Sequence, residues 1–490
     1  MKTIQRLIAI SFLVVTVPGM APPNLAHGIR DVHAADPERW DGTIDAMGTK
    51  IGFVLVLERG EHISASIAIP AQGLAATPVT GLAAEGNSLK FVLSLPGMPE
   101  AARPSFDLTL ADDRQSASGT MKQHGMDFPV TMRRLKEGEV AGPKRPQMPV
   151  APFPYSSREV TYENANDGAK LAGTLTIPDA VKFGAGPYPA VLLITGSGAQ
   201  DRDESLLGHK PFLVLADALT RKGIVVLRAD DRGVGGSTAP KHGEETTDDF
   251  VGDAVAGVEF LSKQPEARRG SIGLVGHSEG GLIAPMAAAK SPEITFIVLL
   301  AGTGVSGREV LEEQMAAIMK AEGAPEEVVA RICAAQKKVL SAVVAGEDAD
   351  EAIRELARAQ MGAAGGVVNE KDIETTVAGA KKQLMSPWMR RFLVLDPRDS
   401  LRLVKCPVLV LNGSLDTQVI ATQNVPAITE ALRQGGNQAV TVHVLPGLNH
   451  LFQSAKTGAF SEYAMIEETM SPQVLELVGN WIGERASVAK

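Results

Sequence analysis

Gly276-His277-Ser278-Glu279-Gly280, followed by Gly281, sets a serine in a G-x-S-x-G string between an apolar run at 272–276 and a helical run at 279–290. A serine at such a spot sits on a sharp strand-to-helix turn. Glycines two positions to either side let the backbone close and expose Oγ, and the helix N-terminus behind favours negative charge as it develops. The chemistry that suits this arrangement is nucleophilic attack on an acyl carbon. The bland alternative is a glycine-rich turn whose serine caps the helix.

A serine hydroxyl is a poor nucleophile at neutral pH and needs a base. His450 ends a turn-rich loop, Leu445-Pro446-Gly447-Leu448-Asn449-His450, whereas His443 lies inside the preceding apolar run. An acid on the loop after the strand before would bond the imidazole Nδ1–H and stabilise the imidazolium. Asp416 fits, in Leu411-Asn412-Gly413-Ser414-Leu415-Asp416. Taken singly, His450 has an alternative as a surface loop histidine and Asp416 as a turn residue. The oxyanion of an acyl transfer needs two backbone N–H donors. One is Glu279, directly after the serine. The other comes from Thr195-Gly196-Ser197-Gly198, with Ser197 assigned and Gly198 as the fallback; the alternative there is a tight βα turn with no catalytic part.

These residues need a frame that brings them together. Buried strands are predicted at 171–177, 190–195, 224–229, 272–276, 296–300, 408–412 and 440–445, alternating with helices at 211–222, 248–263 and 279–290. That alternation reads as α/β: a doubly wound, mostly parallel sheet with its reactive groups outside the carboxyl ends of the strands. From about 305 to 397 the strand signal stops and apolar residues keep helical spacing, as at Met315, Ile318 and Met319, which predicts a helical insertion capping the sheet edge. Apolar runs at 51–57, 63–69, 89–95, 106–110 and 128–132 predict a small all-β barrel or sandwich over 36–135. Pro143, Pro146, Pro149, Pro152 and Pro154 mark 136–157 as an extended linker, leaving 158–490 for the α/β domain.

The chain has 490 residues and a formal net charge of −9, and it contains no basic run, so a nucleic-acid partner is excluded from the expectations. Lys2 and Arg6 precede an apolar stretch at 7–17, followed by small and polar residues towards Ala34-Ala35. This predicts a signal peptide over 1–35, export to a periplasmic or extracellular location, and a mature chain with no membrane span. The alternative is a membrane anchor, for which the stretch is short against the roughly 20 residues that a span requires. Cys333 and Cys406 read as apolar core residues, and no His, Cys or carboxylate cluster has metal-ligand spacing.

Together these motifs resemble an established group: α/β-hydrolase esterases with a helical cap, near the prolyl-oligopeptidase-like and dienelactone-hydrolase-like branches. The resemblance covers roughly 155–485. It rests on Gly196-Ser197-Gly198 with Asp201-Arg202-Asp203; Asp231-Arg232-Gly233-Val234-Gly235 with Ser237; Gly276 to Gly281; Ser386-Pro387-Trp388; Asp396-Pro397; Asp416-Thr417-Gln418-Val419; and Leu448-Asn449-His450-Leu451-Phe452-Gln453 with Glu462-Tyr463. The order Ser278, Asp416, His450 is that of the fold. The chain departs from many relatives at Thr195 and Ala199, where these carry His and Pro. The resemblance implies a serine carboxylesterase acting on small acyl esters, with no cofactor, no metal and a cap over the acyl pocket. Two other readings stay open: a peptidase or amidase using the same residues, and a ligand-binding module on a hydrolase scaffold. The oligomeric state is not readable.

Overall fold

The structure is a computed structural model that describes residues 37–46, 49–59, 63–69, 74–94, 103–123, 126–139, 142–363 and 370–488. The expected signal peptide, 1–35, lies outside the described residues.

Nine strands form the first sheet: β1 Glu38–Ala46, β2 Thr49–Arg59, β3 Ile63–Ile69, β4 Leu74–Pro78, β5 Thr80–Glu85, β6 Ser88–Val92, β7 Ser105–Leu110, β8 Ser116–Gln123 and β9 Met126–Arg134. They run antiparallel in the order β4-β3-β2-β1-β9-β8-β7-β6-β5. The sheet curls on itself. Phe53 of β2 lies 5.9 Å from Phe106 of β7, four places away in that order, and Phe91 of β6 stacks on Phe106 at 4.5 Å. With Trp40, Leu55, Ile67 and Leu108 they make a core of their own. The expected runs fall in β2, β3, β6, β7 and β9. Strands β1, β4, β5 and β8 carry too few large apolar residues to announce themselves, as the SASGTMKQ of β8 illustrates.

The second sheet has eight strands: β10 Tyr155–Asn164, β11 Ala169–Pro178, β12 Tyr188–Ile194, β13 Val225–Ala229, β14 Ala267–His277, β15 Ile294–Leu300, β16 Val408–Gly413 and β17 Val440–Leu445. Their order is β10-β11-β13-β12-β14-β15-β16-β17. From β13 to β17 all neighbours are parallel, and β10 and β11 join antiparallel. This is the expected α/β-hydrolase sheet, preceded by a β domain. β10 was not predicted: it is an edge strand with a mostly exposed, polar face, so no apolar periodicity marks it.

The helices are α1 Ala180–Phe183, α2 Pro211–Thr220, α3 Thr247–Ser262, α4 Glu279–Lys290, α5 Gly307–Ala321, α6 Glu326–Ala345, α7 Asp350–Ala363, α8 Glu370–Leu384, α9 Pro387–Val394, α10 Pro397–Leu401, α11 Ala421–Gln434, α12 Phe460–Tyr463 and α13 Pro472–Val488. Apolar residues of α3, α4 and α11 fill one face of the sheet, and those of α2 and α13 fill the other. Helices α5 to α9 bury Val329, Ile332, Leu340, Ile353, Leu356 and Leu393 among themselves, and that cluster includes Leu282 of α4.

The chain runs from β12 to β13 on one side of β12 and then to β14 on the other. The carboxyl ends of β12 and β14 therefore face a crevice at the point where strand order reverses, the position where such sheets bind ligands. The loop after β12 and the turn after β14 carry Ser197 and Ser278.

Candidate active site

Ser278 joins β14 to α4 with φ 53° and ψ −115°, a backbone that a non-glycine residue holds only under constraint. Its neighbours supply that constraint. A Cβ on residue 276 would stand 2.0 Å from the Gly280 carbonyl oxygen, and one on residue 280 would stand 2.1 Å from that of Ile194. Only glycine lets the turn close against β12. The Ser278 hydroxyl caps no amide of α4, against the alternative of a helix-capping serine. Glu279 is the first residue of α4, so by position its N–H has no partner within the helix.

The loop after β12 is held from below. Asp231 accepts from Thr195 Oγ1 at 2.7 Å and Gln200 N at 2.9 Å, and Gly196 N donates to Glu204 Oε1 at 2.8 Å. Burial pushes the Asp231 carboxyl well above the usual range; the two hydrogen bonds work against this, and nearby Glu279 and Glu204 add to it. Gly196 N is thus committed to Glu204.

His450 follows β17 and is buried. Its Nδ1 lies 2.9 Å from Asp416 Oδ2. Asp416, after β16, accepts from the Gln418 and Val419 amides on Oδ1 at 2.8 and 2.9 Å and from Asn412 Nδ2 on Oδ2 at 3.2 Å. The carboxylate therefore cannot turn away, and it holds the imidazole proton on Nδ1, leaving Nε2 with a lone pair. The ring of His277, the residue before Ser278, lies 4.7 Å from the ring of His450, and its Nε2 is 3.0 Å from the His450 carbonyl oxygen. The turn after β14 and the loops after β16 and β17 thus meet at one end of the sheet.

Glu279 turns its side chain away from the turn and into the protein. Its Oε1 accepts from Thr247 Oγ1 and from Trp388 Nε1, both at 2.8 Å. Burial raises the pKa of this carboxyl, and the two donors offset the shift in part. Trp388 stacks on Phe392 with centroids 5.4 Å apart, so its ring packs at the end of the insertion while its Nε1 serves Glu279.

Behind the His450 loop, the buried His209 holds Tyr463 O with Nε2 at 2.9 Å and meets Thr469 Oγ1 with Nδ1 at 3.0 Å. Burial, and then Arg145, lower its pKa to about 4. Arg145, from the proline-rich stretch, donates to the carbonyls of Ile466, Ala464 and Leu207 at 2.6, 2.8 and 3.1 Å.

The Asp201-Arg202-Asp203 segment and the Asp230-Asp231-Arg232 segment are largely ion-paired loops. Arg202 Nη2 meets Asp230 Oδ2 at 2.8 Å, Arg228 pairs with Asp203, and Arg232 Nε meets Asp253 Oδ2 at 2.5 Å. His443 lies exposed on β17. Cys333 and Cys406 are free and half-buried. Sequence reasoning missed Glu204 and His277: Glu204 lies outside every motif, and the partners of His277 come from distant segments. Among the described residues no group of three His, Cys, Asp or Glu is arranged to hold a metal ion, and no helix is long and apolar enough to cross a membrane.

Residues 210–357 match the sequence profile described as serine aminopeptidase, S33. Esterase EstD of Thermotoga maritima is 25% identical over 411 residues, covering 81% of this chain and 85% of its own. Among solved structures, the Pyrococcus furiosus esterase Pf2001 superposes with a TM-score of 0.43 at 16% identity, over 71% of this chain and 99% of its own. The α/β hydrolase GrgF from Penicillium sp. gives 0.43 at 14% identity, over 68% and 99%.

Proposed function

We propose that this hydrolase, an α/β-hydrolase sheet with a β domain before it, is a serine carboxylesterase that cleaves small acyl esters with Ser278 as nucleophile, His450 as base and Asp416 as the base's orienter. Ser278 Oγ attacks the ester carbonyl while His450 Nε2 takes its proton and passes it to the leaving alcohol. Water, deprotonated by the same nitrogen, then releases the acid from the acyl-enzyme. Both steps pass through an oxyanion, for which the N–H groups of Glu279 and Ser197 are the donors, with Gly198 as fallback. The observation that carries this reading is the buried 2.9 Å hydrogen bond between His450 Nδ1 and Asp416 Oδ2, next to a serine held at φ 53°. The ester as substrate is supported by a relative similar over most of this chain, EstD of Thermotoga maritima, which is an esterase.

The same reading makes helices α5 to α9, within about 305–397, a cap over the acyl pocket. It divides the chain into a signal peptide over 1–35, a β domain over 36–135, a linker over 136–157 and the hydrolase domain over 158–490, with an exported mature protein. Mass measurement of the protein recovered from an exporting host tests the first of these, and retention of Met1 in the recovered chain would count against export.

The catalytic reading is tested with a fluorophosphonate probe and peptide mapping, alongside Ser278→Ala and p-nitrophenyl butyrate. The expected result is labelling on Ser278 and a folded Ser278→Ala variant without turnover. A folded variant with full activity ends the proposal. The matched profile favours a second reading, amide cleavage. Matched ester and anilide substrates separate the two: turnover of the anilide at the rate of the ester would favour the peptidase.

A further inference from the structure

Glu204 lies between β12 and α2, is 4% exposed and has φ 53°. Its Oε1 serves two partners, Gly196 N and His277 Nδ1, each at 2.8 Å. The other nitrogen of His277 reaches the His450 carbonyl oxygen at 3.0 Å. One carboxyl and one imidazole therefore join three segments far apart in sequence: the loop after β12, the turn carrying Ser278 and the loop carrying His450.

We infer that Glu204 and His277 act as a positioning pair, whose bonds to the Gly196 amide and the His450 carbonyl set the oxyanion loop and the base in register with Ser278. This rests on the reading of Ser278 and His450 as nucleophile and base.

The proton count explains why a carboxyl stands there. A carbonyl oxygen only accepts, so His277 Nε2 carries a proton. Nδ1 faces an oxygen that already accepts from Gly196 and needs a proton of its own to bond it. Both ring nitrogens then donate, which makes His277 an imidazolium and Glu204 its counter-charge. Burial disfavours that cation, but the Glu204 charge and hydrogen bond, helped by the His450 carbonyl, outweigh it and raise the His277 pKa. A glutamine at 204 would keep the shape and lose the charge. A neutral His277 could then donate from only one nitrogen, so one of three bonds is lost: that of Gly196 N, that between residue 204 and Nδ1, or that to the His450 carbonyl.

The arrangement is held at a cost. Glu204 Oε2 is buried without a hydrogen-bond partner among the described residues, and the residue takes a backbone conformation that glycine prefers. Its benefit falls on the transition state. With Gly196 N occupied, the next amide, Ser197 N, is left for the oxyanion. The His450 main chain is held by His277 while its ring is held by Asp416.

The test uses the full chain as wild type, Glu204→Gln, His277→Asn and the double variant. The readings are kcat and KM for p-nitrophenyl butyrate, the fraction of Ser278 titrated by a fluorophosphonate, the Kd of butylboronic acid and the Tm. The boronic acid forms a tetrahedral adduct with the serine and so reports the oxyanion site. Glu204→Gln is expected to lower kcat about 100-fold per titrated site, as small misplacements of reacting groups do. KM should stay within about threefold and the boronate should weaken in parallel with kcat, while the double variant loses little more than either single one, as members of one unit do. A folded Glu204→Gln with kcat within threefold of wild type overturns the inference. So does a smaller titratable fraction with unchanged turnover per site, which is what a merely structural role produces. Absence of label on wild-type Ser278 is a different failure: it removes the catalytic reading and the inference with it.

Discussion

Trp388 Nε1 donates to Glu279 Oε1 at 2.8 Å, tying the last turns of the helical insertion to the residue directly after Ser278. Thr247 of α3 donates to the same oxygen. The first turn of α4 is thereby fastened to two elements, α3 and α9, through the Glu279 side chain.

Trp388→Phe keeps the ring against Phe392 and removes this donor. The Glu279 carboxyl is buried and loses half of its hydrogen bonds, so the expected cost is about 1–3 kcal/mol of stability. Chemical denaturation measures this, and the preference among p-nitrophenyl esters of increasing acyl length should shift as α9 loosens. A variant with unchanged stability and an unchanged chain-length profile would refute the connection.

On the proposed reading of Ser278, His450 and Asp416, Asp416→Asn should leave the fold intact and lower kcat by about 10,000-fold, the scale seen when the acid of such a triad becomes an amide. The amides of Gln418 and Val419 hold the oxygen of an asparagine at the Oδ1 position. Its NH2 then faces His450 Nδ1, which must accept, so the ring proton moves to Nε2, the nitrogen that the proposed mechanism needs as base. Kinetics with an activated ester check this; a loss below about tenfold would show that the tautomer does not matter here.

His209 makes stability depend on pH. Its folded pKa lies near 4, against 6.5 for an ordinary histidine. The unfolded chain therefore takes up the proton first as pH falls. The stabilising contribution is complete above about pH 6.5 and declines by roughly 1.4 kcal/mol per pH unit towards pH 4, about 3 kcal/mol in all. Urea denaturation at pH 4.5 and pH 7 measures the decline, and His209→Gln should flatten it relative to wild type. Equal slopes for the two proteins would contradict the assignment.

The positions of β11 to β17 and of α2 to α4 were legible because a buried parallel strand is a near-continuous apolar run and a packed helix repeats every 3.6 residues. Helices α5 to α9 were legible for the same reason. β10 was not, since half of what makes it a strand is its partner β11, pairing Tyr155 with Pro178 and Asn164 with Ala169. In the β domain, small and polar strands such as β8 are decided by the ladders on either side of them.

The site divides in the same way. The turn at Gly276 to Gly280 could be read from the sequence, because a Cβ on residue 276 would collide with the Gly280 carbonyl four residues on; the crowding of residue 280 against Ile194 of β12 arises only in the folded sheet. So could the placing of Asp416 and His450 on loops after successive strands, since chain order and strand order run together at that end of the sheet. The partners of Glu204 could not. His277 is 73 residues away and Trp388 is 109 residues from Glu279; which side chains meet over such distances depends on the order of strands and the closure of loops. Short-range sterics and periodicity are written into neighbouring residues. The convergence of charges on one buried point exists only once the sheet has assembled and excluded water around it.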